Sequence, residues 1–166
     1  MSTSASIRRV RADEVAAERS LRLRALRSDP IAFGSSYAEE AKFPEEKWRE
    51  RTVAGATSGT QSTWVAEVAG VGLIGSVTII RTERGFGVFG MWLDPDHRGS
   101  GLGRQMLVNA IRWAEEQDPT PSFWLDVNPK QHAAVRTYEG LGFRRTGKTR
   151  PLGHTAGETV EEMVRP

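Results

Sequence analysis

Apolar positions along this chain recur with two periods, and the changes between them divide it into elements. Ile7–Arg11 is a short strand. From Asp13 to about Ser28 the spacing predicts a helix, because Ala17, Leu21 and Ala25 recur every fourth residue with Leu26 beside them. Asp29-Pro30 ends it. Residues 31–43 are an irregular or broken helical stretch. Pro44-Glu45-Glu46 opens a second short helix, since proline suits a first turn and carboxylates suit its positive end. Gly55 to Gly59 is a loop.

Strand signals follow at Trp64–Val68 and Gly72–Arg81, joined by the hairpin pair Ala69-Gly70. Gly85 to Leu93 is a third strand, stopped by Asp94-Pro95. A long helix runs from about Gly101 to Gln117, with Leu102, Met106, Ala110 and Ala114 as its apolar stripe and Leu107 and Ile111 widening it. In the strand Ser122–Val127, Phe123, Leu125 and Val127 face one way and Trp124 and Asp126 the other. A helix from about Gln131 to Leu141 ends at Gly142, a usual C-terminal cap. Phe143–Arg150 and Glu158–Val164 are the last strands, around a flexible segment of residues 151–157. The order β-α-α-β-β-β-α-β-α-β-β, without linker or repeat, reads as one domain over residues 1–166. Hairpins at both ends and a crossover helix between them imply a mixed sheet.

Composition narrows the classes. A chain of 166 residues removes roughly 70% of its unfolded surface from water on folding, so it needs no staples. It has no cysteine, which excludes a disulfide scaffold, a zinc-thiolate site and a cysteine nucleophile. Lys and Arg number 23 against 21 Asp and Glu, too even a balance to announce nucleic acid as a partner. Met1 to Val10 has no apolar core of signal-peptide length, and Ser2 breaks the myristoylation pattern. Val68 to Ile80 is too short and glycine-rich to span a bilayer. A soluble, cytoplasmic protein with no membrane partner is the expectation.

Three glycine motifs are present. Gly70-Val-Gly72-Leu-Ile-Gly75 and Gly85-Phe-Gly87-Val-Phe-Gly90 fit the dinucleotide spacing but run into strand-like sequence, whereas that motif must open a helix. Gly142-Phe-Arg-Arg-Thr-Gly147-Lys148-Thr149 matches the phosphate-loop pattern, which makes a nucleotide-binding protein one alternative. It follows a helix rather than a strand, and Arg150-Pro151 is a poor helix start. His97, His132 and His154 lack metal-ligand spacing, so no metal is expected.

The segment with chemistry is Met91-Trp-Leu-Asp-Pro-Asp-His-Arg-Gly-Ser-Gly-Leu-Gly-Arg104. A strand ends at Leu93, and a basic, glycine-rich loop then leads into the long helix. Exposed backbone N–H groups at the positive end of a helix bind phosphate, and Arg98 and Arg104 add charge. An ordinary glycine-rich turn is the plain alternative.

Here the sequence resembles the GNAT N-acetyltransferase superfamily. Arg98, Gly101 and Gly103 match its acetyl-CoA signature, and Leu93-Asp94-Pro95-Asp96-His97 resembles its usual lead-in. A second signature follows in Asp126-Val127-Asn128-Pro129, Ala134, Tyr138 and Leu141-Gly142-Phe143. The resemblance covers residues 64–145 well. It implies an α/β (α+β) fold with a mixed, mostly antiparallel central sheet of six to seven strands flanked by about four helices. It implies acetyl-CoA as co-substrate and, as acceptor, a primary amine of a small molecule or a protein N-terminus. It leaves open a homodimer and a non-catalytic acyl-CoA-binding module.

The resemblance also implies roles for residues. Backbone groups of Met91, Trp92 and Leu93 would hold the pantetheine arm, and those of Gly99, Ser100, Gly101, Leu102, Gly103 and Arg104 the pyrophosphate. Tyr138 would donate a proton to the departing CoA thiolate. A phenol near pKa ~10 can do this only when held beside a thiol that titrates near ~8.5. The alternative for Tyr138 is a core aromatic. Many relatives carry a carboxylate on the strand before the loop, but residues 85–93 have none. Asp126 is therefore the candidate base, against a structural pairing with a neighbour such as Arg145 or a water relay. Asn128 and Gln131 would contact the cofactor, Gln131 standing where the family often has Asn. The acceptor site would be shaped by residues 28–44 and 150–157. Phe33, Tyr37, Glu39 and Glu40 suit an aromatic or cationic amine there, with a solvated helix face the plainer reading of Glu39 and Glu40. Without cysteine no acetyl-cysteine intermediate exists, so transfer is direct.

Overall fold

The alternating stretches pair into one seven-stranded sheet in the computed structural model, which describes residues 4–166. Residues 1–3, where the leader and myristoylation readings begin, lie outside the described residues. The strands are β1 (Ala5–Arg9), β2 (Gln61–Val68), β3 (Gly72–Thr82), β4 (Gly85–Leu93), β5 (Phe123–Val127), β6 (Arg144–Pro151) and β7 (Thr159–Arg165). Their spatial order is β1-β2-β3-β4-β5-β7-β6. Every neighbouring pair is antiparallel except β4 and β5. The helices are α1 (Val15–Ser28), α2 (Tyr37–Glu40), α3 (Glu45–Thr57), α4 (Leu102–Gln117) and α5 (His132–Gly140). The mixed, mostly antiparallel sheet is the one implied above.

Both faces of the sheet are covered, and adjacent residues of β2 report it. Ala66 joins the core that contains Met106, Leu107 and Ala110 of α4, whereas Val65 joins one with Leu21, Ala25 and Leu26 of α1. The apolar stripes read from the sequence are thus the faces that dock, except that Ala17, in the first turn of α1, is exposed. A large side chain such as Leu107, 0% exposed, stabilises the fold by roughly 1.5–3 kcal/mol relative to an exposed one.

Several expectations change. Residues 31–43 contain a 3-10 turn (Pro30–Ala32) and the single-turn α2, whose first N–H groups are capped by Ser36 Oγ accepting from Glu39 N. The loop expected over 55–59 is shorter, because α3 continues to Thr57. Gly55 sits where this helix crosses β2, and a Cβ there would fall 2.4 Å from Thr63 Oγ1. Glycine here permits close approach rather than a turn. Glu40 is not solvated. It is fully buried, with Arg22 Nε donating to Oε2 at 2.7 Å and Arg51 Nη1 to Oε1 at 2.8 Å. The phosphate-loop match, Gly142–Thr149, covers the turn after α5 and most of the exposed edge strand β6, and strand rather than helix follows it, so the segment lacks the anion site. The two dinucleotide-like matches lie in β4 and in β3 with its preceding turn.

Candidate active site

The single parallel pair creates the cleft. β4 and β5 are bonded only at Phe86–Phe123 and Gly87–Trp124, then separate toward their C-terminal ends. Ligands in α/β sheets gather where such strand ends part. A cavity of about 480 Å³ opens there. β4 contributes Met91, Trp92 and Leu93 to it, and the following loop contributes Arg98, Gly99 and Gly101. Gly103 and Arg104 line it from the first turn of α4.

This end of α4 fits a phosphate. Its N-cap is Gly101, at φ +84°, which has no side chain to cap the helix, and only the preceding Ser100 Oγ accepts from its first N–H, that of Leu102, at 3.4 Å. The first N–H groups of a helix have no partner within it, so those beyond Leu102 face whatever anion lies ahead. The second wall comes from α5 through Gln131, Ala133, Ala134, Arg136, Thr137 and Gly140. Positions 133, 136, 137 and 140 share one helical face, so this wall was legible as a period but not as a function.

The predicted residues do not all meet in this cleft. Ser100, in the loop, and Leu102, the first residue of α4, are not in the cavity wall. Ser100 Oγ donates to the His97 carbonyl and shapes the turn. Arg98 is not a free cation. Its Nη2 donates to Asp29 Oδ2 at 2.8 Å, and its Nε to the Leu93 carbonyl at 2.9 Å. Asp29 also accepts from Trp92 Nε1 at 2.7 Å. Burial would raise the Asp29 carboxyl, but the bonds from Arg98 and Trp92 more than offset it and hold the group below its ordinary range. Asp29 therefore fixes both the end of β4 and the loop, a role that sequence reading missed because the partners are more than sixty residues away.

Asn128 is buried, with its amide engaged inside the protein. Nδ2 donates to Glu158 Oε2 at 2.9 Å and to the Ile31 carbonyl at 3.3 Å, while Oδ1 accepts from Lys130 N. It ties β5 to both loops expected to shape the acceptor site. Tyr138 lies beneath the cleft, outside its wall, with its ring 5.9 Å from Phe143. Burial pushes its phenol well above the ordinary value, so the proton stays on the oxygen. Asp126 shares a face with Trp124 and accepts at Oδ2 from Nε and Nη2 of Arg150. Its ionic partner is thus Arg150; Arg145 instead meets Glu139 and Glu161.

On the acceptor side, Phe33 is buried under Arg22, whose guanidinium lies 4.6 Å from the ring centroid. Tyr37 stacks with Arg27 at 4.2 Å, and Glu39 Oε2 accepts from Ser35 Oγ at 3.0 Å. His154 in the last hairpin donates from Nε2 to the Phe33 carbonyl at 2.6 Å, since a carbonyl only accepts. The two loops are therefore latched together. No cluster of three or more His, Cys, Asp or Glu suited to a metal occurs among the described residues. None of the described helices is long and apolar enough to cross a membrane.

Comparison with known proteins agrees with this geometry. Residues 23–143 match the acetyltransferase (GNAT) family model. This is more than half of the chain, and the chain belongs to that family. The [ribosomal protein bS18]-alanine N-acetyltransferase of Escherichia coli strain K12 is 38% identical over 56 residues, 34% of this chain and 37% of that protein. The chain spans 37–40% of the length of the curated relatives it matches. A GNAT-family acetyltransferase structure from Streptococcus pneumoniae superposes with a TM-score of 0.80 at 24% identity, covering 98% of both chains. The paia N-acetyltransferase from Thermoplasma acidophilum, solved with coenzyme A, gives 0.73 at 15% identity, covering 96% of this chain and 98% of that one.

Proposed function

We propose that this chain transfers the acetyl group of acetyl-CoA directly to a primary amine. The amine belongs to a small molecule or to a protein or peptide N-terminus. The observation that carries the reading is the parting of β4 and β5 at the glycine-capped start of α4, a slot with backbone donors at one end. In it, the N–H groups of residues 99–104 hold the pyrophosphate, and Met91 to Leu93 offer strand backbone to the pantetheine arm. Acetyl-CoA supplies the activated acyl group. The chain contributes position, which is worth several powers of ten when nucleophile and carbonyl are held in line.

Tyr138 is the proton donor to the leaving sulfur in this reading, and its buried phenol carries that proton throughout the neutral range. Asp126 takes the amine proton once Arg150 gives way, or a water relays it. Thermal shift with acetyl-CoA, CoA and Mg-ATP, followed by thiol release across a panel of amines and peptides, tests the proposal. Stabilisation by CoA and acetyl-CoA with thiol release is expected. A response to Mg-ATP alone would refute it, and CoA binding without release from any amine would make the chain a binding module.

A further inference from the structure

A second cavity, about 380 Å³, lies between α1 and α3 on one side and strands β2 to β4 on the other. It starts one residue along β4 from the cofactor cleft: Gly90 lines this cavity and Met91 lines the other. Gly90 has φ +62°, and a Cβ there would lie 3.3 Å from Arg22 Nη1. The partition between the two spaces is therefore backbone alone at this point.

Two polar atoms of residues in its wall are buried without hydrogen-bond partners, Glu18 Oε2 and Trp48 Nε1. An ionised carboxylate only accepts and an indole N–H only donates. Unpaired buried groups of this kind are rare in native proteins and ask for an explanation. Charge, by contrast, is already balanced. Arg22 and Arg51 line the cavity, both bond the buried Glu40, and Glu18 supplies a second negative charge. The remaining wall is hydroxylated and aromatic, with Thr52, Ser76 and Thr78 beside Trp48 and Phe89.

We propose that this cavity receives the acceptor, and that the acceptor is a hydroxylated primary amine, an amino sugar or amino polyol. The proposal rests on the acetyltransferase reading above. A hydroxyl both donates and accepts, so one kind of group answers Glu18 Oε2 and Trp48 Nε1 without adding charge to a balanced pocket. A diamine answers Glu18 and leaves Trp48 bare; a carboxylate does the reverse. Phe89, 38% exposed, offers apolar ring surface to the C–H face of a sugar, while Trp48, packed against Phe43 and Arg51, offers its N–H. Burial pushes the Glu18 carboxyl above its ordinary range, against the nearby Thr52 hydroxyl and the charges of Arg51 and Arg22. In the reaction the amine nitrogen bonds to the acetyl carbon as the carbon–sulfur bond breaks. The proton lost by nitrogen balances the one gained by sulfur.

The test compares kcat/KM for glucosamine, cyclohexylamine, 1,5-diaminopentane and an alanine-terminated peptide by thiol release from acetyl-CoA. A site built to bond hydroxyls discriminates strongly against an analogue that lacks them. Glucosamine should exceed cyclohexylamine by at least about 100-fold. Glu18→Gln and Trp48→Phe should each shrink that ratio about tenfold, through KM rather than kcat, one hydrogen bond to a charged or buried group being of that size. Both variants must keep CoA binding by thermal shift, which sets aside misfolding. Equal use of cyclohexylamine, preference for the diamine or peptide, or an unchanged ratio in both variants overturns the assignment while leaving acetyl transfer intact. Absence of thiol release from every amine overturns both readings.

Discussion

Glu40→Ala should unfold this protein at markedly lower denaturant than the wild type. The carboxylate is 0% exposed and accepts from Arg22 and Arg51. Removing one member of a buried ion pair typically costs about 3–5 kcal/mol, because the other is left uncompensated. Here the arginine side chains keep 24% and 39% of their surface exposed, so both can turn partly to water. The loss should therefore be about 2–3 kcal/mol, between the full buried-pair value and that of an exposed pair. For a chain of this length that corresponds to a fall of roughly 4–12 °C in Tm. Glu40→Gln keeps the shape and one acceptor but loses the charge, and should cost about 1–2 kcal/mol.

The pH dependence follows from the same geometry. Burial alone would raise the Glu40 carboxyl, but the bonds and charges of Arg22 and Arg51 outweigh it and hold the group low. A depressed folded-state value means that its stabilisation is complete above the unfolded carboxyl value of about 4.3. It is lost as pH falls through the folded value. Urea unfolding of wild type, Glu40→Ala and Glu40→Gln at pH 7 and pH 3 measures both effects. A Glu40→Ala loss below about 0.5 kcal/mol would place it with ordinary surface substitutions and refute the reasoning. So would a gap between wild type and Glu40→Gln that does not narrow in acid.

Three further outcomes concern the reaction. Tyr138→Phe should lower kcat by about 10²-fold or more, the usual worth of a general acid, with acetyl-CoA affinity retained; wild-type turnover would return Tyr138 to the core. Asp126→Asn should lower kcat by about 10²-fold at pH 7, with the loss shrinking at high pH, where the acceptor is already a free amine. Wild-type turnover in that variant assigns the proton to a water relay. Asp29→Asn keeps its size but loses the charge that holds Arg98 and Trp92. It should weaken acetyl-CoA binding about tenfold by isothermal titration, the equivalent of about 1.4 kcal/mol, and an unchanged Kd would show that the loop holds itself.

The cofactor side was legible because it is local. Residues 91–104 contain strand end, turn, glycines and helix start in one run, and the phosphate chemistry of a helix N-terminus follows from that run alone. What the run conceals is partnership. Arg98 reads as a phosphate cation but bonds Asp29, and Asn128 reads as a cofactor ligand but bonds Glu158 and the Ile31 carbonyl. Gly55 reads as the start of a loop, although the contact that requires glycine is with Thr63 on another element. Residue type sets what bonds a side chain makes; only the docking of elements decides with whom.

The acceptor side was illegible for a sharper reason. Glu18 and Arg22 lie four residues apart on α1, and Asp29 follows seven residues later at its C-cap, a spacing that brings all three to one side of the helix. Read alone, such a stripe is solvated surface. Docked on the sheet, Arg22 reaches the cavity at Gly90, while Asp29, about 10.5 Å further along the axis at 1.5 Å per residue, reaches Trp92 and the cofactor loop. One rigid helix therefore sets the spacing between the two cavities on either side of the Gly90–Met91 bond. The near-zero net charge belongs to the same arrangement. Arg22 and Arg51 share Glu40 beside Glu18, and Arg98 pairs with Asp29, so it is the backbone N–H groups at the start of α4, with Arg104 and Arg136 in the cleft wall, that draw an anionic cofactor to one end of the sheet.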